Sequence, residues 1–177
     1  PWKPTAGIAI HVLIGMVVLT LFAYQFNREI VSKWRKLVLI GLAMLLVLVI
    51  GKAFLAINFG SSDLNNLTAV LIPVAWATMT VTILLGARIA VVVGIILSIF
   101  TGTMADPASL GVSGSLAGLF SLFSGLVGIQ SVARLDQRSD LARAGLYIAL
   151  VNIALISGIA LIIQMSPTHW FFGCILG

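Results

Sequence analysis

Apolar residues run along this chain in long blocks separated by short polar breaks, the spacing of membrane-crossing helices. A spanning helix needs about 20 mostly apolar residues. Six blocks approach that length: Ala6–Phe26, Leu37–Ile57, Leu67–Leu85, Ile89–Met104, Gly114–Ala133 and Ala144–Gln164. After the short break Met165–His169, Trp170 opens a seventh that is only begun by Gly177. The pattern predicts an all-α fold, a polytopic transmembrane helical bundle of six full spans plus the start of a seventh. Residues 1–5 read as an extracellular juxtamembrane stub and 6–177 as the transmembrane domain. The breaks are short, which makes successive spans antiparallel neighbours.

Composition removes the alternatives. Of 177 residues, 60% are apolar and 8% charged, against about 25% charged in a typical soluble domain. Mean hydropathy is +1.19. A soluble globular domain, a disordered chain and a nucleic-acid-binding module are all excluded. The net charge of +5 is then a statement about orientation. Arg28, Lys33, Arg35, Lys36, Arg88, Arg134, Arg138 and Arg143 fall in the breaks after the first, third and fifth blocks, while the opposite breaks hold Asp63 and Asp106 and no Lys or Arg. Basic loops stay in the cytoplasm, so loops 27–36, 86–88 and 134–143 are expected there and the N-terminus outside. Trp2, Trp34 and Trp170 fall at block ends, where the aromatic belt lies. An outside N-terminus needs something upstream to translocate it. With Pro1 in place of an initiator Met, the expectation is a piece of a longer polypeptide with parts on both sides of the membrane.

The residues with chemistry inside the bilayer are few. Gly114, Gly118, Gly125 and Gly128 lie along the fifth block with Ser115, Ser121 and Ser124. Small residues four apart let helix backbones approach closely, so these positions are expected to be helix-packing sites; a seam that shifts between two packings during signalling is the sharper reading. Lys52, near the outer end of the second block, is long enough to snorkel to the interface. The competing role for it is an ion pair with Asp63 or Asp106. Asn152 in the middle of the sixth block suits an interhelical hydrogen bond. Pro73 in the third block frees a backbone carbonyl and predicts a kink. Gly102, Asp106, Pro107 and Gly111 mark an irregular outer turn. His11, His169, Asp63 and Asp106 share the outer side, but they come from four segments without metal-ligand spacing. Cys174, the single cysteine, has no partner for a disulfide. No phosphate-binding glycine loop, paired helical His or Ser/His/Asp arrangement is present. No catalytic, cofactor or metal residue is assigned.

Three stretches carry a resemblance. Leu67-Thr68-Ala69-Val70-Leu71-Ile72-Pro73-Val74-Ala75 has an "LIPVA" character, Arg138-Ser139-Asp140-Leu141-Ala142-Arg143-Ala144-Gly145 looks like an "RSDLLRAG" loop-to-helix junction, and the glycine-rich helix between them ends Gly125-Leu126-Val127-Gly128. Asn152 after Leu150-Val151 fits a "GLVN" pattern, with Ala149-Leu150 where that pattern begins. The chain resembles the membrane region of the seven-transmembrane receptors with an intracellular HD hydrolase domain. The resemblance implies an upstream anchor and outer domain, and a cytoplasmic HD domain with metal-bound His and Asp. It implies hydrolysis of cyclic di-AMP in that domain, with two divalent metals activating water. None of those catalytic residues lies in this chain, so the implied role here is anchoring and coupling in a bacterial inner or internal membrane. The implied partners are the bilayer, a homo-oligomer or larger membrane complex, and the cyclic dinucleotide only through the cytoplasmic domain. Two other classes compete: a small-molecule transporter or substrate-capture protein, against which no inverted repeat is evident, and a structural subunit of a larger membrane complex.

Overall fold

The computed structural model describes residues 13–22, 24–25, 34–57, 72–105, 112–133, 138–162 and 167–176. Among them there are helices and no strand. The helices are α1 (Trp34–Leu55), α2 (Val74–Leu85), α3 (Ala87–Ala105), α4 (Val112–Val132), α5 (Arg138–Ile162) and α6 (Pro167–Leu176), with a shorter apolar helical segment, Leu13–Phe22, before them.

Four helices are long and apolar enough to cross a bilayer, over Arg35–Leu55, Ala87–Ala105, Gly114–Val132 and Ala142–Ile162. Six full spans plus a seventh is therefore not what the described residues form. The difference has identifiable causes. Of the expected third span, Leu67–Leu85, the described helix is Val74–Leu85, with Pro73 at its N-cap. Proline has no N–H and fixes its own φ, so it suits a helix start better than a helix interior. Pro73 therefore stands at the start of a helix of 12 residues. Of the expected first span, the described helix is Leu13–Phe22, and α6 has 10 residues. Two polar breaks are also shorter than expected. The break 134–143 is helical from Arg138, and α6 opens at Pro167, so His169 is helical and not in a loop. Gly102 lies inside α3, not in a turn. His11, Asp63, Asp106, Pro107, Gly111, Arg134, Trp2 and the stub 1–5 lie outside the described residues.

Two compact units divide the chain, Pro1–Gly41 and Leu42–Gly177. In the first, Leu13, Met16 and Leu21 are exposed. The Thr20 hydroxyl donates to the Met16 carbonyl at 2.7 Å, which satisfies it within its own helix. In the second, α4 packs against α2, α3 and α5, and α5 carries α6. Gly51 of α1 takes the Ile72 side chain, and a Cβ built there would lie 3.1 Å from Ile72 Cγ2. Large exposed side chains such as Leu45, Ile99, Phe123, Leu150 and Leu161 would form an aggregating surface in water. In lipid they face a solvent as apolar as themselves.

The α2–α3 connection is one residue. Gly86 has φ 96° and ψ 157°, and its N–H donates to Thr82 O at 2.9 Å, closing α2. Its own carbonyl accepts from Ala90 N at 3.3 Å, opening α3. That backbone conformation is essentially restricted to glycine. The hairpin zips from there. Thr78 and Gly94 each lie eight residues from Gly86, and a Cβ at Gly94 would meet Thr78 Cγ2 at 3.2 Å.

Candidate functional site

The part of the bundle with the least room to move is the glycine face of α4. Its N-terminal half meets α3. A Cβ at Gly118 would lie 3.2 Å from the Ser98 carbonyl and 3.6 Å from Gly102 Cα, and one at Gly102 would lie 2.9 Å from the Gly114 carbonyl. The other half meets α2. A Cβ at Gly125 would lie 3.3 Å from Thr78 Cγ2 and 3.5 Å from Val74 Cγ1, and one at Gly128 would lie 3.1 Å from the Ala75 carbonyl. One stripe of small residues thus contacts two helices in succession. Contact passes from α3 to α2 near the level where α2 begins, just after Pro73.

The directions follow from the same distances. Gly118 sits by Ser98 and Gly114 by Gly102, so α3 and α4 are antiparallel. Gly125 sits by Val74 and Gly128 by Met79, so α2 and α4 run parallel. The C-termini of α2 and α4 therefore lie at the same end of this unit.

Polar groups in the seam are held by backbone carbonyls. The buried Thr78 hydroxyl lies 3.0 Å from Gly125 O on α4 and 2.9 Å from Ala75 O on its own helix, so its one proton is shared between the two acceptors. Thr82 donates to Thr78 O at 2.6 Å, Ser98 to Ile95 O at 2.8 Å and Thr101 to Leu97 O at 2.9 Å. Ser121, in the middle of the glycine stripe, differs from these: its buried Oγ has no hydrogen-bond partner.

Farther round α4, Phe120 and Ile156 of α5 form a buried pair against which Leu155, Ile159 and Cys174 pack. Asn152 is buried one turn before Ile156. The indole N–H of Trp170 donates to Ser157 Oγ at 3.2 Å, tying α6 to α5.

Of the positions singled out in sequence, Gly114, Gly118, Gly125 and Gly128 come together along this seam, and Pro73 caps the helix that packs against its second half. Asn152 lies on α5, and Lys52 lies apart, exposed in the last turn of α1, where a cation also complements the helix dipole. The sequence reading missed Thr78, Gly94 and Ser98, and misplaced Gly102. A signal for three of them was present: Gly94, Ser98 and Gly102 are spaced four apart, the small-residue pattern already noticed on α4. Among the described residues there is no group of three or more His, Cys, Asp or Glu that could hold a metal.

The seam is a packing device without visible chemistry, so comparison with known proteins decides the family. The profile of the seven-transmembrane receptor with intracellular HD hydrolase matches residues 2–177. The chain belongs to that family. It is similar to the cyclic-di-AMP phosphodiesterase PgpH of Bacillus subtilis (strain 168), with 27% identity over 164 residues. That match covers 91% of this chain and 22% of the relative, so the chain spans about a fifth of the relative's length. No solved structure matches it. The chain is an integral membrane protein, matched along nearly its whole length by the membrane region of that family.

Proposed function

We propose that this domain anchors a cyclic di-AMP phosphodiesterase in a bacterial inner or internal membrane and couples an outer sensing part to it. The observation that carries the reading is the similarity to PgpH along 91% of the chain. The α4 seam supports the coupling half. Backbone contacts as close as that between Gly102 and Gly114 do not deform gradually, so a change in packing would be a step between two arrangements. Divalent metals belong in this reading to the hydrolase domain, and no residue of this chain is assigned to them. The test is hydrolysis of cyclic di-AMP by the full-length polypeptide in liposomes. Absence of hydrolysis under all metal conditions would sink the phosphodiesterase reading. Activity that stayed constant when the outer part was exchanged for an unrelated domain, under every condition tried, would sink the coupling.

The N-terminus faces outside in this proposal, and loops 27–36, 86–88 and 134–143 are cytoplasmic. Two features support it. Exposed Arg88 follows the α2–α3 turn, and Arg138 opens α5 after the α4 C-terminus, at the end shared by the two parallel helices. Clustering of basic residues at one end is what the positive-inside rule requires. An Arg88→Cys variant should resist an impermeant maleimide applied from outside the cell. Ready labelling in intact cells would reverse the orientation.

A further inference from the structure

The three helices of the seam repeat themselves every four residues. On α2 the repeat is Val74, Thr78 and Thr82, three β-branched side chains of nearly the same shape. On α3 it is Gly94, Ser98 and Gly102. On α4, Gly114 and Gly118 are four apart, as are Ser121 and Gly125. Residues four apart lie one above the other on a helix face, so a shift of one turn, about 5.4 Å, replaces contacts of this seam by others of the same kind. Val74 and Thr78 now flank Gly125, at 3.5 and 3.3 Å from the Cβ that it lacks. One turn along, Thr78 and Thr82 would flank it. α2 and α3 would make the shift together, because Gly86 alone joins them and Thr78 packs on Gly94 across the hairpin.

Ser121 gives the direction. It is 1% exposed and its Oγ has no partner, whereas Thr82, Ser98 and Thr101 bond to carbonyls of their own helices. It stands three residues after Gly118 and four before Gly125, so it faces the hairpin with them. We infer that the α2–α3 hairpin is a one-turn ratchet on α4: it slides toward the α4 N-terminus and gives the Thr78 hydroxyl to Ser121. Thr82 then takes the place beside the Gly125 carbonyl that Thr78 holds now. The α3 side of the hairpin opposes the slide. Gly102 fills the tightest place, where a Cβ would lie 2.9 Å from the Gly114 carbonyl, and the slide would bring Ser98, which has a Cβ, into it. The unpartnered Ser121 thus favours one register and the Gly102–Gly114 contact the other. Two packings with opposed preferences are what a stepwise switch requires. Ile72, two residues before α2, lies against Gly51 of α1, so the slide would also break the contact that ties the hairpin to α1.

As a coupling device the ratchet rests on the function proposed above; as a motion it does not. It is tested by pulsed electron–electron distance measurement in the full-length polypeptide in liposomes, with Cys174 and any other native cysteine replaced by alanine. Spin labels go on Ile83→Cys of α2 and Leu119→Cys of α4, both exposed and outside the seam. A second pair, Ile83→Cys with exposed Ile99→Cys, reports on the hairpin alone. Ser98→Gly removes the Cβ that the slide would press on the Gly114 carbonyl and crowds nothing in the present register. Gly102→Ala crowds the present register instead. Each should add a second α2–α4 distance, shorter by about 3–5 Å for one turn, and leave the hairpin distance unchanged. Adding Ser121→Ala to Ser98→Gly should shrink the short component. One unchanged α2–α4 distance in the Ser98→Gly protein would overturn the ratchet, whether or not Gly102→Ala folds. So would an equal change within the hairpin, or a short component indifferent to Ser121→Ala. Hydrolysis is not read in these measurements. A slide in a protein that does not hydrolyse cyclic di-AMP would refute the phosphodiesterase reading alone, and hydrolysis without a slide this inference alone.

Discussion

The Thr78 hydroxyl lies 3.0 Å from the Gly125 carbonyl, a hydrogen bond between α2 and α4 across 47 residues of sequence. It is made where Gly125 has no side chain to hold the two helices apart, so the glycine and the threonine act as one unit. The same hydroxyl serves Ala75 O at 2.9 Å, so the interhelical bond has a competitor inside α2.

Thr78→Val keeps the shape and removes the proton. Interhelical hydrogen bonds in lipid average about 0.6 kcal/mol, and Gly125 O keeps its place in the α4 ladder. The expected loss is therefore small, about 0.5–1.5 kcal/mol in reversible unfolding in detergent. A loss several times larger would mean that the seam depends on this bond more than on packing.

Gly102→Ala should cost more. Its Cβ would lie 2.9 Å from the Gly114 carbonyl, which is backbone and cannot swing aside. Overpacking of this kind costs about 1–3 kcal/mol. Gly41→Ala is the control, since nothing lies within 4 Å of the Cβ it would add. There the better helix propensity of alanine should stabilise by about 0.5–1 kcal/mol. Equal effects at the two sites in the same unfolding assay would contradict the close α3–α4 approach.

Ser121→Ala should be harmless or favourable. The Ser121 Oγ is buried without a partner, and removing such a group relieves a penalty of about 1–3 kcal/mol where nothing compensates it. Ser98→Ala is the reference, because Ser98 bonds to Ile95 O. Melting temperatures of the two variants should separate, with Ser121→Ala the higher.

Gly86→Ala tests the one-residue connection. At φ 96° an alanine is strained although the space around it is open, at a cost of about 1–3 kcal/mol. The loss should appear as earlier unfolding of α2 and α3 in hydrogen exchange. Unchanged protection of both helices would argue against this turn geometry.

How much of this was legible depends on which physical rule wrote each feature. The long helices were readable because a bilayer demands an unbroken apolar run, and α1, α3, α4 and α5 lie on four of the blocks expected. Their ends were less so. Pro73 sits in an apolar stretch, and hydropathy does not register that its missing N–H suits a helix start. Arg138, Asp140 and Arg143 read as a charged loop, yet a helix continues past the hydrocarbon edge at no cost once it is in water. The glycines of α4 stood out by spacing, as did the smaller signal of Gly94, Ser98 and Gly102, had it been taken up.

The sequence by itself determined that this is an all-α membrane domain with basic residues concentrated in alternate breaks, and it carried the motifs of its family. Only the tertiary structure decided which helix each glycine meets, that α2 and α4 run parallel, and that Thr78 joins them. The reason is the solvent. In water, hydrophobicity separates inside from outside along the chain; in lipid, Leu150 facing acyl chains and Ile156 facing α4 are equally apolar. Burial leaves no mark in the pattern, and shape alone selects the partners.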